Sequence, residues 1–254
     1  MVINKIYNEN CLDTMSRMKD NFIDLTVTSP PYDNLRKYNG YSFDFESIAK
    51  ELYRLTKEGG VVVWIVGDAT IKGSETGTSF KQALYFMECG FNLHDTMIWE
   101  KTGRVPTQDR YYNVIEYMFI FSKGKPKSMN FILDHKCVNG GRKQKKDKII
   151  NKGISKKGDG FFIRNEYGRR SNIWKIHVGI NKTKHPAIFP EQLANDHIIS
   201  WSNEDDLVFD PFMGSGTTAK MAILNNRNWI GSEISEEYIN IAKKRIEDNA
   251  LKLF

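Results

Sequence analysis

Cysteine is scarce in this sequence, and its scarcity excludes two classes of protein at once. Cys11, Cys89 and Cys137 are the three in 254 residues. Odd in number and far apart, they support neither a disulfide framework nor a zinc site and fit a reducing cytoplasm. Long apolar runs are missing too: none approaches the ~20 residues that cross a bilayer. The start, Met1-Val2-Ile3-Asn4-Lys5, has no apolar stretch of the secretory kind, so the expectation is a cytoplasmic protein with no membrane partner. Internal repeats and long low-complexity tracts are also lacking. What remains is 40% hydrophobic and 27% charged, as expected of a soluble globular chain. The length suits one α/β domain with a buried core, with or without a large insertion. Proline is infrequent, at seven residues, which gives weight to the two that stand side by side at Pro30-Pro31.

Charge is abundant but uneven. The formal net charge is +6. Between Lys136 and Lys184 there are 15 Lys or Arg against 3 Asp or Glu, so the rest of the chain is net acidic by six. A basic block on an acidic protein points to a polyanion partner, most simply nucleic acid; a solvated charged loop is the plain alternative. The same region interrupts the pattern of the chain. Before it, apolar runs at 23–27 and 61–66 alternate with helical periodicities at about 11–19, 44–56 and 78–88. Two more strands are expected at 91–99 and 114–121, forming an antiparallel pair. Gly59-Gly60 and Gly90 read as the ends of the second and third helices. After it, a helix over 190–200, a strand at 207–209, a helix from Ala219 to Leu224, a strand at 229–231 and a helix over about 236–248 resume the alternation. Such alternation predicts a doubly wound, mostly parallel α/β sheet. Residues 124–184 are expected to be an insertion outside the sheet, since they are too long for a plain connection. Phe161, Phe162, Tyr167 and Trp174, interleaved with cations, suit stacking on bases while phosphates pair. The alternative is that they form the insertion's own small core.

Two elements carry chemistry. Ile23-Asp24-Leu25-Thr26-Val27 runs into Thr28-Ser29-Pro30-Pro31-Tyr32. The paired prolines remove two donors and fix φ, so the strand must stop there. The Ser29 hydroxyl, the Pro30 carbonyl and the Tyr32 ring are then presented at the sheet edge. Two acceptors beside an aromatic face suit a planar ring bearing an exocyclic amine. Alone, the motif could equally be an ordinary turn or a ligand for a proline-reading domain. The second element is Asp210-Pro211-Phe212-Met213-Gly214-Ser215-Gly216-Thr217-Thr218, between a strand and a helix. Gly214 and Gly216 permit a tight turn and close approach of a ligand, and the helix N-terminus can receive a carboxylate or phosphate. Glu233 ends the next strand, where an acid can accept both ribose hydroxyls. Ala219 takes the place of the third glycine of Gly-x-Gly-x-x-Gly, so a smaller adenosine ligand is expected rather than a dinucleotide.

Together these two motifs resemble those of the exocyclic-amino (N4-cytosine and N6-adenine) DNA methyltransferases. Their order, with a catalytic motif, a basic region and then a cofactor motif, is similar to the circularly permuted β-type. His185-Pro186-Ala187-Ile188-Phe189-Pro190 resembles the family's element upstream of the cofactor loop. The resemblance implies a Rossmann-like methyltransferase sheet, with a catalytic half over 1–123, an inserted target-recognition region over 124–184 and a cofactor-binding half over 185–254. It implies S-adenosyl-L-methionine as cofactor and no metal. Double-stranded DNA is the implied partner, with either a cognate restriction endonuclease or a solitary role in modification; a monomer and a homodimer both remain open. Catalysis falls to Ser29, Pro30, Pro31 and Tyr32. Cofactor binding falls to Asp210, Pro211, Phe212, Gly214, Ser215, Gly216, Thr217 and Glu233, with His185 and Pro186. Asn10 and Cys11 join them at the N-terminal turn, where the family often has Asp before Cys. DNA contacts are expected from Arg36, from Arg142, Lys143, Lys145 and Lys146 to phosphates, and from Arg164, Arg169 and Arg170 to base edges.

The implied reaction is direct methyl transfer to the amine of a flipped base. Ser29 and the Pro30 carbonyl would accept hydrogen bonds from the amine's two N–H groups and aim its lone pair, and Tyr32 would stack on the base. Carbon-5 methylation is excluded, because none of the cysteines follows a proline in the motif that chemistry uses. Family members with Ser first in the tetrapeptide more often act on cytosine N4, and those with Asp or Asn on adenine N6. N4-cytosine is therefore expected, with adenine N6 as the alternative. A non-catalytic relative and an RNA or protein methyltransferase are more remote.

Overall fold

A run such as Val61-Val62-Val63-Trp64-Ile65-Val66 has no polar side to show to water, so it needs cover on both faces, and all six residues are buried. The computed structural model describes residues 1–31, 43–102, 109–150, 154–178 and 189–250, with side chains at 144–150, 154–160 and 249–250 outside the described set. In chain order the elements are β1 (Lys5–Tyr7), α1 (Cys11–Ser16), β2 (Ile23–Thr28), α2 (Phe45–Leu55), β3 (Thr56–Val66), the short pair β4 (Thr70–Ile71) and β5 (Ser74–Glu75), α3 (Thr78–Glu88), β6 (Asn92–Thr102) and β7 (Ile115–Ser122). Then come β8 (Leu133–Lys136), β9 (Lys143–Ile150), β10 (Ile154–Ile163), β11 (Tyr167–Arg169), β12 (Ile173–His177), α4 (Glu191–Trp201), β13 (Leu207–Asp210), α5 (Thr217–Leu224), β14 (Asn228–Ser232) and α6 (Glu236–Ala250).

The chain divides into two compact units, one of Met1–Asn130 with Asn172–Phe254 and one of Phe131–Ser171. The larger holds an eight-stranded sheet in the order β1-β14-β13-β2-β3-β7-β6-β12. Every neighbouring pair is parallel except those made by β7, which is antiparallel to both β3 and β6. The α/β doubly wound expectation and its antiparallel pair therefore hold. α1, α2 and α3 pack in series, as do α4, α5 and α6. The first set closes over Val62, Trp64, Val66, Phe119, Phe121, Phe209 and Ile230. Phe86 of α3 stacks on Phe121 at 4.6 Å between centroids, and the buried indole of Trp64 donates to Gln82 at 2.9 Å.

Two expectations are corrected. α2 ends at Leu55, and Gly59-Gly60 lie inside β3. A Cβ on Gly60 would come within 3.0 Å of the Asp24 carbonyl, so the glycine serves the close approach of two strands and not a helix end. The insertion is also shorter than 124–184. Residues up to Asn130 and from Asn172 belong to the larger unit, and β12 runs parallel to β6 with Trp174 and Ile176 buried. Trp174 stacks on the buried His197 ring at 4.5 Å, so it is core of the main sheet and not an aromatic of the insertion. Two polar residues between apolar ones, Ile173-Trp174-Lys175-Ile176-His177, make a strand too short to stand out from basic surroundings. The smaller unit consists of two antiparallel pairs, β9 with β10 and β8 with β11.

Candidate active site

The carboxyl ends of β1, β14, β13, β2 and β3 share one edge of the sheet, and strand order reverses between β13 and β2. In open α/β sheets, ligands bind at that reversal. β2 ends at Thr28, followed by half-buried Ser29 and buried Pro30; β13 ends at Asp210 and leads into the glycine turn. The Thr28 hydroxyl donates to Asp210 Oδ1 at 2.7 Å across 182 residues of sequence. Asp210 also accepts the Phe212 N–H at 3.0 Å and, on Oδ2, the Thr218 hydroxyl at 2.7 Å. Burial pushes its carboxyl above the ordinary value against the pull of these donors. Asp210 was expected among the cofactor contacts. It is turned into the fold, where it braces the end of β2, the glycine turn and α5 as one piece. A carboxylate with three protein donors in a buried setting has little left to offer a ligand.

The turn itself is built by glycine. Gly214 and Gly216 have φ of +50° and +79°, a left-handed backbone that other residues rarely adopt. The Gly216 N–H closes on the Met213 carbonyl at 2.9 Å, and the Met213 N–H bonds the Ser232 carbonyl at 2.9 Å, which ties the turn to the end of β14. α5 then begins at Thr217, so its first N–H groups have no carbonyl upstream in the helix. Glu233 follows β14. Its carboxylate takes the Gly214 N–H and the Ser235 N–H, each at 2.8 Å. Burial raises its pKa above 4.5, with those two bonds pulling the other way. Each oxygen keeps a lone pair for a hydroxyl donor, so the residues present fit an adenosine ligand. β1 brings the N-terminal turn to the same place: Tyr7 pairs with Ser232, and the Glu233 N–H bonds the Tyr7 carbonyl at 3.0 Å. Asn10 caps α1 by accepting the Leu12 N–H at 2.9 Å. Cys11 is buried, and burial pushes its thiol up to about 12, a value that leaves no thiolate at neutral pH. Phe212 packs edge-on against Phe43 at 5.7 Å, while Pro211, Ser215 and Thr217 are buried.

Not every expected residue can be placed. Tyr32, Arg36, His185 and Pro186, and the side chains of Lys145 and Lys146, lie outside the described residues. Arg142, Lys143, Arg164, Arg169 and Arg170 all fall in the smaller unit. Lys143 lies over the Phe161 ring at 4.7 Å and Arg169 over the Phe131 ring at 4.0 Å. Phe161, Phe162 and Tyr167 are exposed, which removes them from the alternative of a small internal core. Arg170 is paired with Asp134 at 2.6 Å within its own unit. Sequence reasoning missed Thr28 and Thr218 as brace members, although both lie inside the two motifs. It also missed Asn8, whose amide donates to the carbonyls of Glu233 and Ile234 at 3.0 and 3.1 Å. Among the described residues, no group of three or more His, Cys, Asp or Glu could hold a metal ion, and no helix is long and apolar enough to cross a membrane.

The chain as a whole is similar to known proteins. Residues 23–244 match the family N6_N4_Mtase, described as DNA methylase. The orphan methyltransferase M.BamHII of Bacillus amyloliquefaciens is 60% identical over 252 residues, covering 91% of this chain and 92% of its own length. The Type II methyltransferase M.BglII of Bacillus subtilis is 28% identical, covering 94% and 68%. Among solved structures, the PvuII cytosine-N4-specific DNA methyltransferase superposes with a TM-score of 0.71 at 22% identity, over 95% of this chain and 85% of that one. The complex of M1.HpyAVI with SAM superposes with a TM-score of 0.64 at 25% identity, over 95% and 98%.

Proposed function

This chain belongs to the DNA methylase family that its residues 23–244 match, and from that premise we propose that it methylates the N4 amine of cytosine in double-stranded DNA. It is an S-adenosylmethionine-dependent DNA methyltransferase. The observation that supports the reading of its site is the Thr28–Asp210 hydrogen bond of 2.7 Å, because it sets the Ser29-Pro30 element beside the glycine turn on adjacent strands. Glu233 and the turn would hold the adenosine and amino-acid ends of the donor, with Asn10 and Cys11 along the same edge. Bound there, the donor supplies an electrophilic methyl group. The Ser29 hydroxyl and the Pro30 carbonyl would accept hydrogen bonds from the two N–H groups of the target amine and orient its lone pair, so positioning carries much of the rate. Tyr32 stacks on the extruded base and offsets part of its unstacking cost. Cys11, buried with a thiol at about 12, supports direct transfer over a route through a cysteine adduct. Ser29 at the head of the tetrapeptide supports cytosine over adenine.

The smaller unit is proposed as the recognition element, with Arg142 and Lys143 on phosphates and Arg164 and Arg169 on base edges. M.BamHII bears the name of an orphan methyltransferase, and by that likeness a solitary cytoplasmic modification enzyme is proposed in preference to one half of a restriction pair. The test is to incubate the purified protein with S-adenosylmethionine and unmethylated genomic DNA, digest to nucleosides and identify the product by mass spectrometry. N4-methylcytosine that disappears in Ser29→Ala is the expected result. N6-methyladenine would overturn the assignment of the base and leave the rest standing.

A further inference from the structure

α6 lies under the glycine turn, and two of its residues one turn apart make the contact. Ala242 is fully buried, and a Cβ on Gly216 would come within 2.8 Å of its Cβ, so the turn rests on the helix with no space between. Arg245 reaches to both sides of that contact. One guanidinium nitrogen donates to the Ser215 carbonyl at 2.6 Å, to Ser215 Oγ at 2.6 Å and to Thr217 Oγ1 at 3.2 Å. The other donates to Glu191 at the start of α4 at 2.8 Å, and Glu191 also takes the Lys220 ammonium of α5 at 2.6 Å. One side chain thus joins α6, the turn and the first residues of α5 and α4. A guanidinium can do this because its donors form a rigid planar fork; an ammonium is a compact point charge.

We infer that Arg245 is a positioning residue for the methyl-donor site, which holds the turn at Ser215–Thr217 in its binding shape without touching the donor. The inference rests on the proposed donor site. By occupying the oxygens of Ser215 and Thr217 from behind, Arg245 prevents these groups from turning inward. With the turn fixed at Ser215 and Thr217, the N–H groups that open α5 keep one arrangement in which their dipoles can serve an anionic group.

The experiment measures S-adenosylmethionine binding by calorimetry, the KM for donor and for DNA, kcat at saturating donor, and Tm, for the full chain and for Arg245→Ala, Arg245→Lys and Lys220→Met. Arg245→Ala is expected to weaken donor binding ~30-fold, as loss of several bonds to a charged group implies, with kcat and the KM for DNA unchanged. Arg245→Lys keeps the charge but not the fork and should stay nearer to the Ala variant than to the unaltered protein. Lys220→Met, which removes only a partner of Glu191, should keep donor affinity within about threefold. Full affinity in Arg245→Lys would reduce Arg245 to a charge and overturn the inference. So would a uniform loss of kcat and both KM values in step with a lower Tm, the signature of a merely structural residue. Methylation of adenine in place of cytosine would overturn the assigned base and leave this inference intact, whereas failure of the unaltered protein to bind donor would overturn both.

Discussion

Asp210 and Glu233 are two acids about a strand apart whose buried carboxyls are both raised in pKa, yet they have different tasks. Asp210 takes three protein donors, from Thr28, Phe212 and Thr218; Glu233 takes two backbone N–H groups and keeps more acceptor capacity. Asp210→Ala is expected to cost about 2 kcal/mol of stability, because the hydroxyls of Thr28 and Thr218 lose their acceptor in a buried setting; urea unfolding measures it. For Glu233 the expected outcome is a pH effect on binding. In its proposed role it would accept ribose hydroxyls best as a carboxylate, and its pKa is raised above 4.5 by burial, so donor affinity should fall on acidification at a pH above 4.5. Glu233→Gln should bind more weakly and show no such limb in a titration of donor Kd against pH. Glu233 was legible in the sequence because its place, at the end of a strand after a glycine turn, is local. The brace through Asp210 was not, since its partner Thr28 is 182 residues away and nothing in either segment alone says that they meet.

At the scale of elements, the well-patterned ones are where the sequence placed them. Asp44 begins α2 by accepting the Ser47 N–H at 3.2 Å, and the apolar residues at helical spacing from Ile48 to Leu55 face inward. β12 was missed because strand signals in a basic stretch are weak: its exposed face carries Ile173, Lys175 and His177, and its two buried residues become meaningful only against β6. The β9–β10 hairpin is the element on which the nucleic-acid reading turns. Replacing Arg142, Lys143, Lys145 and Lys146 together with Ala is expected to weaken binding to all DNA sequences alike. It should also flatten the plot of log affinity against log salt, by roughly one unit of slope for each phosphate no longer neutralised. Affinities measured between low and moderate salt decide it; an unchanged slope would move the phosphate contacts elsewhere.

Across the whole molecule, the two edges of the sheet divide the work. The carboxyl edge carries the proposed site, and the amino edge carries an ion network. There Asp24, buried at the start of β2, takes the ammonium groups of Lys57 and Lys127 at 2.6 Å each and the Leu207 N–H at 3.0 Å. Burial pushes the Asp24 carboxyl up, but the Leu207 N–H and the two lysines more than offset this, and its pKa lies below the ordinary 3.8. A carboxyl lowered by folding adds stability above its ordinary pKa and loses it as pH falls through the folded value. Asp24→Asn should therefore cost about 2 kcal/mol near neutrality, and the difference from the unaltered protein should shrink as pH falls below 3.8. Denaturant midpoints across that range test it. Because the network is at the far edge, donor affinity should not change.

The sequence by itself determined the alternation of strands and helices, the stop at Pro30-Pro31, the glycine turn and the acid after it, because each follows from residue chemistry within a few positions of the chain. Only the tertiary structure decided which strands adjoin, that Asp210 faces inward, that Trp174 belongs to the core, that Arg170 is paired and that α6 supports the turn through Arg245. These depend on contacts between segments far apart in the chain, and such contacts exist only once the sheet has closed and its two faces are covered.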